Sequence, residues 1–540
     1  MRRTTRALGI LLLGSSLAPG PPVRAQDRPI LDLTVDDAVK RALDNNADIA
    51  VEKYNPQSSL ESIRSAEGYY DPYLYGSLNK NRSTNPQSNA FAGGDKVTNT
   101  TDIWNFGLSQ ALPTGGVFSL GFNNNKQDTN SVFTTFNPTY NSSLSIGLTQ
   151  PLLKNFRIDN ARQQIRLAKK NAEISDVQFR QLVVSTVASV KQSYYDLLYA
   201  IDNLEAARKN LALARKLLDE NQIRVRVGTM APLDVVTAES EVASREEGVI
   251  VAENTLEEAE DAIKKAIFPA NDPATWALRI VPRDRPSAEP FPVDLDSAIR
   301  TAIEKRTDIV AARKGLERND ISLQYIHNQV LPQLDLVASY GGAGIGGTGL
   351  VRDPAFGGPV VSTIPGGYGD ALSNVFARDF PTWRIGFNVS YSILNRSAKA
   401  GAAQARLAKE QAEVSLRRLE LQVAAEVRSA GRAVETNFKR VASSQSARIL
   451  AARRLDAEEK KFAAGMSTNF FVTQAQRDLA VAEVNEIRAV ADYRKSVINF
   501  ERSLEAGVSG SGSTLQLLTS GVGSRASSAA AVGASAAGSN

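Results

Sequence analysis

The chain contains stretches in which apolar residues alternate strictly with small or polar residues. They lie around 72–80, 103–112, 116–124 and 142–150 in the first half, and in "QLDLVASY" from Gln333 and "WRIGFNVSYSI" from Trp383 in the second half. Alternation with a period of two predicts β-strands with one apolar face. Segments of about ten residues also have the length of tilted transmembrane strands.

Aromatic residues stand near the ends of these segments, Tyr73 and Tyr75 at one end and Trp104 and Trp383 at the other. Aromatic girdles at both interfaces are typical of outer-membrane strands, so we expect these four side chains at the membrane interfaces. The connecting segments, such as the Gly-rich 341–370, are long and polar like extracellular loops. A soluble β-sandwich also has alternating strands, but the aromatic residues and the loops favour a membrane protein.

Long helical patterns follow the strands. Residues 161–227 contain neither Gly nor Pro, and their apolar residues recur at steps of three and four. This pattern predicts a single helix of roughly 100 Å. A second helix is predicted over 233–267, and the second half repeats the pair over 402–464 and 470–505. Helices of this length indicate a coiled-coil-like bundle or the side of a tube.

The two halves of the chain repeat the same order of elements. "TVDDAVKRALDNNADIAVEK" from Thr34 returns as "DLDSAIRTAIEKRTDIVAAR" from Asp294. Such a repeat indicates a tandem duplication. We assign the first repeat to 33–268, a Pro-rich linker to 269–291 and the second repeat to 292–507.

The two ends of the chain differ from the rest. Basic residues, a short apolar run and small residues make 1–25 a predicted signal peptide. The apolar run is too short to anchor the chain across a bilayer of about 30 Å. Cleavage removes four arginines, so the formal net charge falls from +5 to +1, and a nucleic-acid partner gains no support. Residues 508–540 have the composition of a linker, and we expect them to be disordered.

The composition also limits the chemistry. The sequence has no cysteine and a single histidine, His327. It therefore excludes disulfides, thiolate metal sites and His-rich metal sites. Acidic residues are spread along helix faces, where solvated charges normally lie. We predict no catalytic, cofactor-binding or metal site, and an enzyme is the least favoured class.

Each pair of long helices is joined by a short turn that contains a glycine, Gly228 in the first half and Gly465 in the second. Pro232 is suited to begin the returning helix of the first pair. The turn "VGTMAPLDVVTA", the signal peptide and the repeated order of helix, strands and long helical hairpin together resemble the TolC-type outer-membrane efflux proteins of Gram-negative bacteria. The resemblance covers 33–507, almost the whole mature chain.

The resemblance implies an α+β membrane protein, in which a trimeric outer-membrane β-barrel continues into a long periplasmic α-helical barrel built from a tandem internal repeat. It implies a homotrimer, contact with outer-membrane lipid, a periplasmic membrane-fusion adaptor and, indirectly, an inner-membrane pump. In this family the helical turns contact the adaptor. The matching residues are Val227, Gly228, Thr229, Gly465 and Met466.

The resemblance also points to the channel entrance. Asp234 matches an acid that lines the entrance in this family. The family often carries two acids in its second turn that form a cation-binding ring, but Phe471 and Gln474 stand in those places here. We therefore expect Phe470 and Phe471 to form a hydrophobic constriction in place of an acidic cation site.

The number of strands departs from the family as well. The family usually supplies two strands per half, whereas the first half here has four alternating segments, with "LPTGG" at 112–116 as a tight turn between the middle pair. Either the barrel is larger than usual, or one hairpin lies outside it. Between four and six strands per chain, we favour six.

These features predict the outer-membrane channel of a tripartite efflux or type I secretion system. The channel is expected in the outer membrane of a Gram-negative bacterium, as a passive exit duct with its helices in the periplasm. Nothing resembles a phosphate-binding loop, so the energy must come from the pump. Two alternatives remain: a free-standing diffusion porin, which does not explain the helices, and a periplasmic coiled-coil structural protein, which does not explain the strands.

Overall fold

The structure is a computed structural model that describes residues 29–86, 96–269, 272–285, 288–354 and 358–505. The predicted signal peptide, 1–25, and the predicted tail, 508–540, lie outside the described residues. Among the helices that the structure describes, none is long and apolar enough to cross a membrane.

The described residues form the following elements. The helices are α1 Val35–Asn45, α2 Ala47–Glu52, α3 Tyr54–Glu67, α4 Asn160–Arg226, α5 Pro232–Ile267, α6 Pro273–Trp276, α7 Leu295–Lys305, α8 Thr307–Asn328, α9 Tyr368–Ala377, α10 Arg396–Ala463 and α11 Asn469–Leu504. The strands are β1 Ile30–Leu33, β2 Tyr73–Pro86, β3 Lys96–Ala111, β4 Val117–Thr129, β5 Phe136–Pro151, β6 Arg279–Pro282, β7 Gln333–Arg352, β8 Val360–Ile364 and β9 Phe380–Ser390.

One antiparallel sheet contains all strands except β1 and β6, which pair with each other. Its order is β2, β3, β4, β5, β7. The far side of β7 pairs with β9 over Gln333–Ala343 and with the short β8 over Gly349–Arg352. The sheet is therefore six strands wide, and the expectation of six strands misses only β8. All four alternating segments of the first half are strands of this sheet.

The Gly-rich segment 341–370 is not the loop that the sequence predicts. β7 continues to Arg352, β8 follows, and α9 begins at Tyr368. A Cβ added at Gly344 would lie only 1.9 Å from the carbonyl oxygen of Ala371 in α9. Here glycine permits the close approach of a helix to a strand, which a composition-based reading cannot tell from a loop.

The long helices form a layer one helix thick. α4 has 67 residues and α10 has 68, so each spans roughly 100 Å. Close to the sheet the neighbours are α3, α4, α8 and α10 in that order, and farther away they are α5, α4, α11 and α10. We call this single layer the helical layer. The predicted long helices and their returning partners are confirmed.

Two buried tyrosines hold the connection between the halves against the helical layer. The Tyr194 hydroxyl in α4 donates to the carbonyl oxygen of Leu33 at 3.0 Å and accepts from the N–H of Asp284 at 3.2 Å. The Tyr493 hydroxyl in α11 accepts from the N–H of Phe291 at 3.1 Å and donates to the carbonyl oxygen of Glu289. Burial raises the pKa of Tyr194 to about 12, so this hydroxyl stays protonated and remains a donor.

Tyr194→Phe is expected to lower the free energy of unfolding by about 1–3 kcal/mol. The N–H of Asp284 loses its partner in a buried site, and the carbonyl of Leu33, which still accepts from the N–H of Arg283, loses one of its two bonds. Denaturant unfolding of the purified protein measures this. Tyr195→Phe is the matched control, since no hydrogen bond joins the Tyr195 hydroxyl to any described residue. Equal losses for the two variants would contradict the assignment.

Candidate functional site

Both helical hairpins end in a turn of the same geometry, at the end of the helical layer farthest from the sheet. In the first turn, the N–H of Gly228 bonds the carbonyl of Val225 at 3.0 Å, and the N–H of Thr229 bonds the carbonyl of Arg224 at 2.9 Å. Gly228 has a φ of 78°. This is a Schellman motif, which ends a helix by means of a left-handed residue. Pro232 then begins α5, as the sequence predicts.

The second turn repeats the motif. The N–H of Gly465 bonds the carbonyl of Phe462 at 3.2 Å, and the N–H of Met466 bonds the carbonyl of Lys461 at 2.9 Å. Gly465 has a φ of 74°. Nothing lies within 4 Å of a Cβ built at Gly228 or at Gly465. Both glycines are therefore needed for backbone conformation, not for space. We call 227–234 the first tip and 464–474 the second tip.

The two tips touch each other through polar contacts. The side-chain amide of Asn469 donates to the carbonyl oxygen of Asp234 at 3.3 Å and accepts from Asn221 at 2.9 Å. The Arg224 guanidinium donates to the carbonyl oxygen of Phe462 at 3.2 Å and lies 4.2 Å from the centre of its ring. The two tips thus form one continuous surface. A change in the position of one hairpin therefore also changes the surface that the other presents.

Most residues predicted at the tips are exposed. Val227, Met466, Phe470 and Phe471 are exposed, and the rings of the two phenylalanines pack edge to face with their centres 5.6 Å apart. Asp234 is half-buried in the first turn of α5. These side chains are free to contact another molecule.

Gln474 has a partner within its own helix. Its side-chain amide donates to the carboxylate of Asp478 at 2.8 Å. An acid is therefore present one helical turn beyond the position where the family often has one, but the same carboxylate also pairs with Arg454 at 2.7 Å.

Sequence reasoning missed a buried carboxylate behind the tips. Glu241 in α5 is only 6% exposed and accepts from Arg245 at 2.8 Å and from Arg477 in α11 at 2.9 and 2.6 Å. Burial raises its pKa, but the hydrogen bonds and charges of Arg477 and Arg245 outweigh burial, and the net pKa lies below the ordinary value. Glu241 thus ties the outer helix of the first hairpin to the second hairpin.

This link gives the tips a defined pH dependence. A carboxylate with a lowered folded pKa stabilises the fold above its unfolded pKa of about 4.3, and the stabilisation is lost as pH falls through the folded pKa. At pH 7 we expect Glu241→Gln to speed hydrogen exchange of tip amides by about tenfold, a modest effect because Arg477 is half exposed.

At pH 3 the difference between wild type and Glu241→Gln should shrink, because pH 3 lies below the unfolded pKa of about 4.3 and the stabilisation falls away from there downward. Glu239→Gln, an exposed neighbour on the same helix, is the control. An effect of Glu241→Gln that is equal at pH 3 and pH 7 would argue against the ion pair as its cause.

The sheet has one apolar and one polar face. Cross-strand partners lie on the same face, and successive residues alternate between faces. One row of partners across all six strands reads Leu74, Leu108, Leu120, Ile146, Tyr340 and Trp383. The adjacent row on the opposite face reads Tyr75, Gly107, Gly121, Ser145, Gly341 and Thr382. We call these the apolar face and the polar face.

The register divides the predicted aromatic residues between the two faces of the sheet. Trp104 and Trp383 lie on the apolar face, but Tyr73 and Tyr75 pair with Ser109 and Gly107 on the polar face. A Cβ added at Gly107 would lie 2.3 Å from the Tyr75 ring, so this tyrosine covers a glycine of its neighbouring strand. The four aromatics therefore lie on two different faces of the sheet, and their position at the membrane interfaces stays a prediction.

α9 lies on the apolar face and covers polar groups there. The Tyr368 hydroxyl donates to the side-chain oxygen of Asn124 at 3.0 Å, and Ser142 donates to the same oxygen at 2.8 Å. The Tyr368 ring also packs against Trp104, with ring centres 5.4 Å apart. Asn124 and Ser142 are almost fully buried. α9 thus hides two polar side chains that would otherwise interrupt the apolar face.

Comparisons with known proteins agree with this architecture. The family model described as "Outer membrane efflux protein" matches residues 117–267 and 298–505. The chain is 24% identical over 346 residues to outer membrane protein TolC of Vibrio cholerae, covering 62% of this chain and 71% of that protein. It is 23% identical over 453 residues to outer membrane protein TolC of Escherichia coli, covering 83% of this chain and 84% of that protein.

A solved structure shares the fold. The Campylobacter jejuni CmeC outer membrane channel superimposes with a TM-score of 0.62 at 15% identity, covering 88% of this chain and 86% of that chain. At this identity the likeness speaks for the fold alone.

Proposed function

The chain belongs to the outer membrane efflux protein family, and from that premise we propose that it is the trimeric exit duct of a tripartite efflux or type I secretion system. It is an outer-membrane protein with its helical part in the periplasm. A two-faced sheet joined to a helical layer about 100 Å long carries this proposal, because only a duct across both compartments needs both parts.

The two edge strands of the sheet support the proposal that further copies of this chain close it into a barrel. Within the described residues, β2 and β9 each pair on one side only. Open edges within a membrane leave backbone groups without partners, which is too costly in lipid. Pairing of β2 in one copy with β9 in the next removes both edges, and three copies close one β-barrel. Trp104 and Trp383 then lie on the lipid side, and Tyr73 and Tyr75 on the side of the lumen.

The edges of the helical layer support the same arrangement. α10 exposes Leu407, Val414 and Leu421 at intervals of seven residues, a spacing that suits packing between long helices. Close to the sheet, α3 forms the opposite edge of the layer, and nearer the tips α5 forms that edge and exposes Ile250 and Val251. Contact between neighbouring copies buries both stripes and closes an α-helical barrel.

The repeat units stay as assigned, 33–268 and 292–507 with the linker 269–291. In each half, shorter helices precede strands of the sheet, α1 to α3 in the first and α7 and α8 in the second, and a long hairpin follows, which supports this assignment. The duct itself is passive. A periplasmic membrane-fusion adaptor contacts Val227, Gly228 and Thr229 of the first tip and Gly465 and Met466 of the second, and it connects the duct to an inner-membrane pump.

Cross-linking from the tips tests this function. A photoreactive residue at Val227 should capture a periplasmic adaptor, and deletion of the protein should abolish export of a drug or protein. The same residue at Val51, which is 69% exposed on α2 against 71% for Val227, is the control. Intact export after deletion would favour the diffusion porin, and absence from the outer-membrane fraction would favour the periplasmic coiled-coil protein.

At the entrance, Phe470 and Phe471 form a hydrophobic constriction, with Asp234 of the first tip beside it. Phe471→Asp should introduce block of the single-channel current by divalent cations, which the wild type lacks, because three carboxylates then converge near the axis. Phe471→Asn is the control, because asparagine is similar in size to aspartate but carries no charge. Strong divalent block already in the wild type would disprove the hydrophobic constriction.

A further inference from the structure

The hairpin of β3 and β4 lies within the sheet, between β2 and β5. β3 pairs with β2 from Tyr73–Ser109 to Pro86–Lys96, and β4 pairs with β5 from Val117–Thr149 to Gln127–Thr139. Hydrogen bonds on both sides over the full length of the hairpin leave it no freedom to lie outside the sheet.

The turn of this hairpin is fixed against the start of the helical layer. Thr114 donates to the side chain of Gln150 at 2.7 Å, and the Gln150 amide returns a bond to the carbonyl of Thr114 at 3.0 Å. Gly115 has a φ of 85°, and a Cβ there would lie 2.5 Å from the carbonyl oxygen of Asn155. The turn therefore sits directly on the segment that leads into α4.

The hairpin separates strands whose helices are neighbours. α3 leads into β2 and β5 leads into α4, yet α3 and α4 pack side by side while two strands stand between β2 and β5. Four helices about 9 Å apart span roughly 36 Å. Six strands about 4.8 Å apart and tilted about 40° span roughly 38 Å, whereas four would span roughly 25 Å. The hairpin makes the sheet as wide as the helical layer beneath it.

We propose that this hairpin widens the outer-membrane pore, so that the duct admits bulky hydrated solutes without selecting them by charge. The inference rests on the proposed trimer. Three copies give eighteen strands and a backbone diameter of about 36 Å, against about 24 Å for twelve. With about 5 Å of side chain on each side, the free diameter is roughly 26 Å against roughly 14 Å.

The polar face supplies the lining for such solutes. Where β4 pairs with β5, and apart from Val117 at the start of β4, it consists of glycine and uncharged polar residues, among them Ser119, Gly121, Asn123 and Ser145. Across the described strands, its charged residues are Asp335 on β7 and Arg384 on β9. A lining of this kind exerts little net field on a passing solute, so size and not charge limits passage.

Cysteine labelling tests the position of the hairpin, because the chain has no cysteine of its own. Asn123→Cys on the polar face should react with a bulky charged maleimide in intact membranes. Phe122→Cys, the adjacent residue on the apolar face, should not react. Reaction of both positions would place the hairpin in water outside the barrel and overturn the proposal.

A size series tests the width. Ser145→Cys on β5 is introduced into two proteins, the full chain and a chain that lacks residues 96–129. Removal of β3 and β4 together leaves β2 and β5 antiparallel to each other. Maleimide-poly(ethylene glycol) probes about 20 Å across should label the full chain at least tenfold faster than the deleted chain. The same upper limit of probe size for labelling of the two chains would overturn the proposal that the hairpin widens the pore.

The number of chains and the number of strands test the proposed trimer and the wide pore separately. Native mass spectrometry should give three chains, and electron cryomicroscopy of the full-length protein should show eighteen strands even if the deleted chain does not fold. A trimer with twelve strands refutes the wide pore alone. A particle that is not a trimer refutes the proposed function as well.

Discussion

Export should fall by about a hundredfold or more when Val227 and Leu233 are both replaced by Ser, while assembly in the outer membrane is unchanged. Both side chains are over 70% exposed at the first tip, so the substitution removes little packing within the chain and acts mainly on contacts with a partner. Loss of two apolar anchors at about 2 kcal/mol each is enough for an effect of this size. Gly228 and Pro232, which set the backbone of the tip, are kept.

Val51→Ser is the control for this variant. It makes the same change at an equally exposed valine on α2, far along the chain from either tip. Export should be normal in that variant, and the double variant should still give heat-resistant oligomers in the outer-membrane fraction. Normal export after replacement of the whole segment 228–234 by an unrelated turn would refute the docking role of the first tip.

Gly344→Ala should detach α9 from the sheet. The new methyl group would lie 1.9 Å from the carbonyl oxygen of Ala371 and 3.0 Å from a methyl carbon of Val375, so backbone must move. Detachment removes the cover of Asn124 and Ser142 and breaks the hydrogen bond from the Tyr368 hydroxyl to Asn124. We expect hydrogen exchange of α9 amides to accelerate by at least a hundredfold and the melting temperature to fall.

Gly386→Ala is the matched control, because nothing lies within 4 Å of a Cβ built at that position on the neighbouring β9. It should leave both the exchange of α9 and the melting temperature nearly unchanged. Equal behaviour of the two variants would show that close packing under α9 does not hold the helix in place.

The parts predicted from sequence are those governed by short-range periodicity. The uninterrupted pattern over 161–227 predicts α4 because no Gly or Pro breaks it, and strict alternation predicts the strands because their two faces meet different surroundings. Gly228 and Pro232 mark the first tip because glycine tolerates the left-handed conformation that ends a helix, and the fixed φ of proline suits the first residue of the next helix. These features need no knowledge of distant partners.

The parts that sequence did not predict depend on pairing across the chain. Tyr75 could be assigned to a face only once its register with Gly107 was known, since a shift of one residue exchanges the faces. Glu241 and Arg477 meet although 236 positions separate them. α9 was missed because Gly344 and its neighbours show the same composition as a loop, whereas their role is to admit a helix at close range.

The chain forms a single sheet and a helical layer that is one helix thick. Each of these layers therefore has two faces that no other layer of the same chain covers over its full area. In the proposed trimer, much of the apolar surface on α5, α10 and the strand edges is covered only by another copy. The stability of each copy then depends on the concentration of the others, as for any obligate oligomer. The yield of assembled channels therefore rises steeply with the concentration of chains, and at low concentration unassembled chains stay open to proteolysis.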